Sequence, residues 1–113
     1  MKFMLLIYHN EQRWNGLTES ERQQVYGGYR QLREELQANG KFVDGSQLAS
    51  SDTATSIQIR EDKALVTDGP FAETHEQLGG YFLVDVQAVD DAIAIAKRIP
   101  SARTGTVEVR SLV

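Results

Sequence analysis

The chain is predicted to fold as an α+β sandwich, an antiparallel sheet with two helices on one face, from three features of its sequence. A capping box opens a long amphipathic helix in the first third, a short charge-bracketed helix lies near the end, and segments of strand character precede, separate and follow the two.

Residues 2–9 are an apolar run with aromatic and β-branched members, expected as a central strand buried on both faces. Asn10 to Leu17 is a polar stretch around Trp14 and is expected as a loop. Thr18-Glu19-Ser20-Glu21 then supplies the capping box, Thr18 at the N-cap and Glu21 reaching back to it. Val25, Tyr29, Leu32 and Leu36 follow at helical spacing as the buried stripe, and Gly40 stands where a left-handed C-terminal residue is wanted. Gly27-Gly28 inside this helix costs about 1 kcal/mol per glycine relative to alanine, so close packing or room for a ligand must compensate.

Lys41 to Gly45, Thr53 to Arg60 and Ala64 to Thr67 read as three strands divided by polar turns, and Gly79 to Val86 as a fourth with apolar side chains on both faces. Asp90 and Asp91 at one end, Lys97 and Arg98 at the other and Pro100 beyond them bound the second helix, whose buried face is Ala92, Ile95, Ala96 and Ile99. Thr106 to Arg110 alternates as a closing strand. This order is that of a ferredoxin-like sandwich, in which right-handed crossovers put both helices on one sheet face. The other face then carries Met4, Leu6 and Tyr8 uncovered, which leads to the expectation of a sheet-to-sheet homodimer.

The composition, 41% hydrophobic and 25% charged over 113 residues, is that of one folded domain spanning 1–113. A net charge of −4 with no basic cluster argues against nucleic acid as a partner. The absence of cysteine removes thiolate chemistry and Cys-based zinc sites. The apolar run near the N-terminus is too short for a membrane span or a signal core, so no membrane partner and a cytoplasmic location are expected.

The stretch Val66-Thr67-Asp68-Gly69-Pro70-Phe71-Ala72-Glu73-Thr74-His75-Glu76-Gln77-Leu78-Gly79-Gly80-Tyr81-Phe82 closely resembles the signature of DGPF-type proteins in the YciI-related family. The likeness runs from the Lys2-to-Tyr8 opening, through Trp14 and Leu17-Thr18, to the closing Gly105-Thr106-Val107-Glu108-Val109-Arg110. It implies a dimeric α/β barrel, similar in architecture to muconolactone isomerase, with a cleft in each protomer. One branch of the family contains a dehydrochlorinase acting on a chlorinated hydroxyquinol, and DGPF-type members often accompany extracytoplasmic-function sigma factors. In the YciI branch a His-Asp pair is the proposed site, with its His on the first helix; Tyr29 stands at that position here. His75 stands where DGPF-type members more often carry Lys.

The candidate catalytic residues are Asp68, at a strand end before the Gly69-Pro70 turn, with His75 or His9 as its partner in proton transfer. A structural job, accepting backbone N–H groups in that turn, would by itself explain Asp68. Trp14, Tyr29 and Phe71 are the candidate substrate contacts, able to stack on a planar molecule. No ligand spacing for a metal, phosphate-cradling loop or nucleophile elbow exists, so neither metal nor cofactor is expected. Three readings stay open: a cofactor-free isomerase or lyase acting on a small polar or aromatic molecule, a small-molecule-binding or regulatory module that touches a sigma factor, and a domain whose signature mainly specifies the fold. Whether the chain is an enzyme at all is left undecided.

Overall fold

The structure, a computed structural model, describes residues 1–113. The chain runs β1 (Lys2–His9), α1 (Glu11–Asn15), α2 (Glu19–Ala38), β2 (Phe42–Gln47), β3 (Thr55–Arg60), β4 (Lys63–Asp68), β5 (Gln77–Asp85), α3 (Val89–Ala96) and β6 (Thr106–Ser111). Four strands form an antiparallel sheet in the order β2-β5-β1-β6, and β3 and β4 pair only with each other. The sheet order and the two helical crossovers make a ferredoxin-like sandwich, as the sequence predicts.

The helices form where their ends are chemically satisfied. Thr18 Oγ1 accepts from the Glu21 N–H at 3.1 Å and the Glu21 carboxylate accepts from the Thr18 N–H at 2.9 Å, so the predicted capping box is formed. These bonds to the charged form hold the Glu21 carboxyl below its usual pKa. At the far end Gly40 takes φ +70° and the Lys41 N–H reaches back to the Leu36 carbonyl at 2.8 Å, closing the last turn. Replacing Thr18 with alanine should cost about 1 kcal/mol of stability, read as a lower urea midpoint at unchanged slope.

One continuous core lies between the sheet and the helices. Phe3, Leu5 and Ile7 of β1 and Phe82 and Val84 of β5 meet Leu32 and Leu36 of α2 and Ala92, Ile95 and Ala96 of α3. Gly28 shows how closely α2 approaches: a methyl group there would stand 3.0 Å from Pro100 Cγ, so at this glycine packing outweighs the helix propensity penalty. Gly27 has no such neighbour closer than 3.8 Å.

Four details differ from the sequence reading. Glu11–Asn15 is a short helix instead of a loop, because the Asn10 side chain caps it by accepting from the Arg13 N–H at 2.9 Å. β1 is buried on the helix side only, with Met4, Leu6 and Tyr8 half-buried on the other. α3 stops at Ala96, and Pro100–Arg103 forms a separate 3-10 turn. The β3–β4 hairpin leaves the sheet altogether and projects as an arm, closed by Glu61 and Asp62 at φ 51° and 63°, both in the left-handed region that two-residue hairpin turns use.

Candidate functional site

A register slip in the β1–β5 ladder shapes the site. Ile7 pairs with Gly80 but Tyr8 pairs with Leu78, so Gly79 is an extra residue on β5. Bulges of this kind bend a strand and re-aim side chains next to binding sites. Here the slip sets the Gly79 backbone under the ring of His9, the last residue of β1: a Cβ on Gly79 would stand 2.5 Å from His9 Nε2 and 2.7 Å from Cδ2. Gly80 is constrained from the other side, its missing Cβ 2.8 Å from the Ser46 carbonyl of β2.

The space opened by these glycines is a cleft of about 260 Å³ between the middle of α2 and the bulged end of the sheet. Ile7, His9 and Phe82 belong to its sheet side, Val25, Tyr26 and Tyr29 to its helix side, and Trp14 of α1 to its mouth. The aromatic rings stand edge to face or tilted: Trp14 lies 5.9 Å from His9 and 5.5 Å from Tyr26, and Tyr29 lies 6.0 Å from Phe82. Such a lining presents π-faces and ring edges to a planar guest. His9 and Trp14 also border a second, more polar depression with Arg13, Gln24 and Thr104.

His9 brings the one imidazole of the cleft. It is half-buried, and loss of water around the ring lowers its pKa, against smaller upward pulls from Glu11 and Glu76. Both carboxylates are otherwise occupied: Glu11 accepts from the Ser51 N–H and hydroxyl, each at 2.8 Å, and Glu76 accepts from the Thr106 hydroxyl at 2.8 Å. Burial thus favours the neutral imidazole, and its ring nitrogens, which make no hydrogen bond to the protein, keep contact with water. Tyr29 is a different kind of group. Burial raises its pKa, and its hydroxyl donates to Ser101 Oγ at 2.6 Å, so it is a neutral phenol held in place and not a base.

Of the residues singled out from sequence, His9, Trp14 and Tyr29 come together around the cleft. Asp68, Phe71 and His75 do not line it. Asp68 is exposed at the end of β4, opposite Thr55, and the bonds that fix the turn are Gly69 N–H to the Ala54 carbonyl and Ser56 hydroxyl to the Gly69 carbonyl. The Asp68 carboxylate takes no part in them. Phe71 is 84% exposed, and His75 is held through its carbonyl, which accepts from the Asn10 side chain at 3.2 Å. Arg30, Arg33, Ser46, Gln47, Gly79 and Ser101 line the cleft without having been singled out as site residues. A signal for the arginines was present: Tyr26, Tyr29, Arg30 and Arg33 recur at three- and four-residue spacing on one helix face.

The signature segment thus divides in two. Its Asp68-Gly69-Pro70-Phe71 half builds the root of the arm, and its Gly79-Gly80 half builds the cleft. Gly79→Ala should push the His9 ring off the strand toward water, and a proton NMR titration should then find the His9 pKa raised toward the ordinary imidazole value.

A ferredoxin-like sandwich with a half-open aromatic cleft on the helix side of its sheet defines the class of protein. The YCII-related domain family matches residues 1–113, and the chain belongs to it. An uncharacterized protein of Rhizobium meliloti (strain 1021) is 30% identical over 114 residues, covering 99% of this chain and 92% of the relative. No helix is long and apolar enough to cross a membrane.

Proposed function

We propose that the cleft binds a small planar molecule and that His9 takes a proton from it, in a cofactor-free isomerisation or elimination carried out by a homodimer. One observation carries this reading: a neutral, half-buried imidazole without a protein partner stands at the wall of an aromatic cleft, held over a glycine that a side chain would displace. A general base works best when its pKa lies near the working pH and its nitrogen is free to meet a C–H or O–H proton. Tyr29, kept as a phenol by burial, supplies a hydroxyl that can accept from or orient the bound molecule. In this reading Asp68, Phe71 and His75 serve the arm and its contacts with the second copy, away from the reacting atoms.

The test is proton exchange. Wild-type protein is incubated in deuterated water with a panel of phenolic and lactone compounds, and deuterium entering carbon is followed by NMR. Enrichment in wild type that His9→Gln removes supports the reading; binding without exchange in any compound overturns the catalytic half of it.

A second reading is favoured by the Tyr29–Ser101 hydrogen bond, which leaves the cleft with one base where the resemblance to the YciI branch implies a His-Asp pair. In it the cleft senses a ligand without turnover and reports to a protein such as an extracytoplasmic-function sigma factor. Ligand binding that persists in His9→Gln, with no exchange in wild type, is the result it expects.

A further inference from the structure

The charge around the cleft runs against the charge of the chain. Acidic residues outnumber basic ones 16 to 12 overall, yet the only charged side chains lining the cleft are Arg30 and Arg33, and no carboxylate lines it. Of the eight arginines in the chain, Arg22 and Arg98 pair with a carboxylate, and Arg30 and Arg33 are among the six that do not. The ion pairs of the molecule are Met1 with Asp85, Arg22 with Glu19, and Arg98 with Glu35. Neither Arg30 nor Arg33 donates a side-chain hydrogen bond to the protein, so each guanidinium keeps its five N–H donors for solvent or a ligand. The two stand three residues apart on α2 and so share one face of the helix.

Resting on the reading of the cleft as a small-molecule site, we propose that its ligand is a one-ring aromatic carboxylate, its carboxylate held by Arg30 and Arg33 and its ring lying among Trp14, Tyr26 and Phe82. Size, shape and charge each contribute. A volume of about 260 Å³ lies just under the roughly 300–1,000 Å³ of pockets for drug-sized ligands, which suits a single substituted ring. The ring edges and faces of Trp14, Tyr26, Tyr29 and Phe82 favour a planar body over a bulky aliphatic one. The planar fork of a guanidinium matches a carboxylate in two parallel hydrogen bonds, which a neutral group cannot return. In the same cleft the imidazole of His9, which burial keeps toward its neutral form, is left to meet the ring, so recognition and proton transfer fall to separate groups. The same arginines exclude cationic amines and leave neutral phenols as weaker guests.

Trp14 is the only tryptophan of the chain, so a single indole N–H resonance in a nitrogen-15 NMR spectrum reports on the mouth of the cleft. Full-length protein is titrated with benzoate, with benzamide as its neutral, planar counterpart, and with acetate as the carboxylate without a ring. Benzoate is expected to shift the indole signal saturably and to bind at least tenfold more tightly than benzamide or acetate. In the Arg30→Gln/Arg33→Gln double variant, checked for folding by circular dichroism, benzoate affinity should fall at least tenfold while benzamide affinity stays as in wild type. Equal binding of benzoate and benzamide in wild type would overturn the carboxylate assignment and leave the small-molecule site standing. No saturable shift with any of the three would overturn the assignment and the reading beneath it.

Discussion

His9→Gln is expected to lower the proton-transfer rate by roughly 10²–10⁴-fold, the range that a positioned general base contributes. Glutamine keeps a polar planar side chain of similar reach, so the cleft stays filled and ligand affinity should change little. The pH profile gives an independent check. Because burial holds the His9 pKa below about 6.5, kcat/KM in wild type should rise with pH, bend below that value and be flat through neutral pH. The stability of the fold should follow the same group with a definite sign. The unfolded chain binds a proton at His9 more readily than the native one does, so stability falls as pH drops below the unfolded value and levels off beneath the native pKa. In His9→Gln this contribution disappears. Glu76→Gln removes one of the two upward pulls and should lower the His9 pKa further, moving the bend in the profile to more acidic pH. A wild-type profile that bends above 7 would place a charged imidazole in the cleft and end the argument for a free base.

Much of the fold is legible in local chemistry. The Thr18 capping box, the Val25-Tyr29-Leu32-Leu36 stripe and Gly40 each act within a turn or two of helix, so their signals survive without knowledge of the rest of the chain. The short helix at Glu11–Asn15 escapes because its sequence is polar apart from Trp14 and its one strong signal, Asn10 as N-cap, reads equally well as a loop residue. The hairpin's departure from the sheet escapes for a different reason. Ile57 and Ile59 alternate with polar residues in the same way whether their strand joins the sheet or leaves it, since pairing partners are chosen over long range.

The site was half legible. His9, Trp14 and Tyr29 stand out as chemically capable residues at strand, loop and helix positions, but which of them converge depends on the slip at Gly79, a single extra residue in one ladder. The family signature draws attention to Asp68, the residue with the most reactive side chain in the turn. The part of the signature that reaches the cleft is Gly79-Gly80, where the informative feature is the absence of a side chain.

The arm itself supplies the second large expected effect: replacing both Ile57 and Val66 with lysine should turn the proposed homodimer into a monomer. A two-stranded hairpin is marginal in water unless a further strand or layer covers it. This one pairs with no other strand, and its face of Ile57, Ile59, Ala64 and Val66 is open, with Ile57, Ile59 and Val66 each 64–66% exposed. The whole chain is extended for its size. Its radius of gyration is 15.9 Å against about 13 Å for a compact chain of this length. Its accessible surface is 7883 Å², against roughly 6,200 Å² for a monomer of this mass. The excess of roughly 1,700 Å² is ample for the roughly 800 Å² that each partner of a standard interface contributes. In the proposed homodimer Met4, Leu6 and Leu83 on the open sheet face would give the arm of a second copy an apolar surface to lie on, and twofold symmetry would return the contact. Burying each of Ile57 and Val66 is worth about 1.5–3 kcal/mol, and each substitution counts in both copies, so the dissociation constant should rise more than about 10³-fold. Gln58→Lys, on the opposite face of the arm, should leave the dimer intact. Sedimentation velocity at micromolar concentration decides the matter: a monomeric wild type, or a double-lysine variant that still sediments as a dimer, removes the arm from the interface.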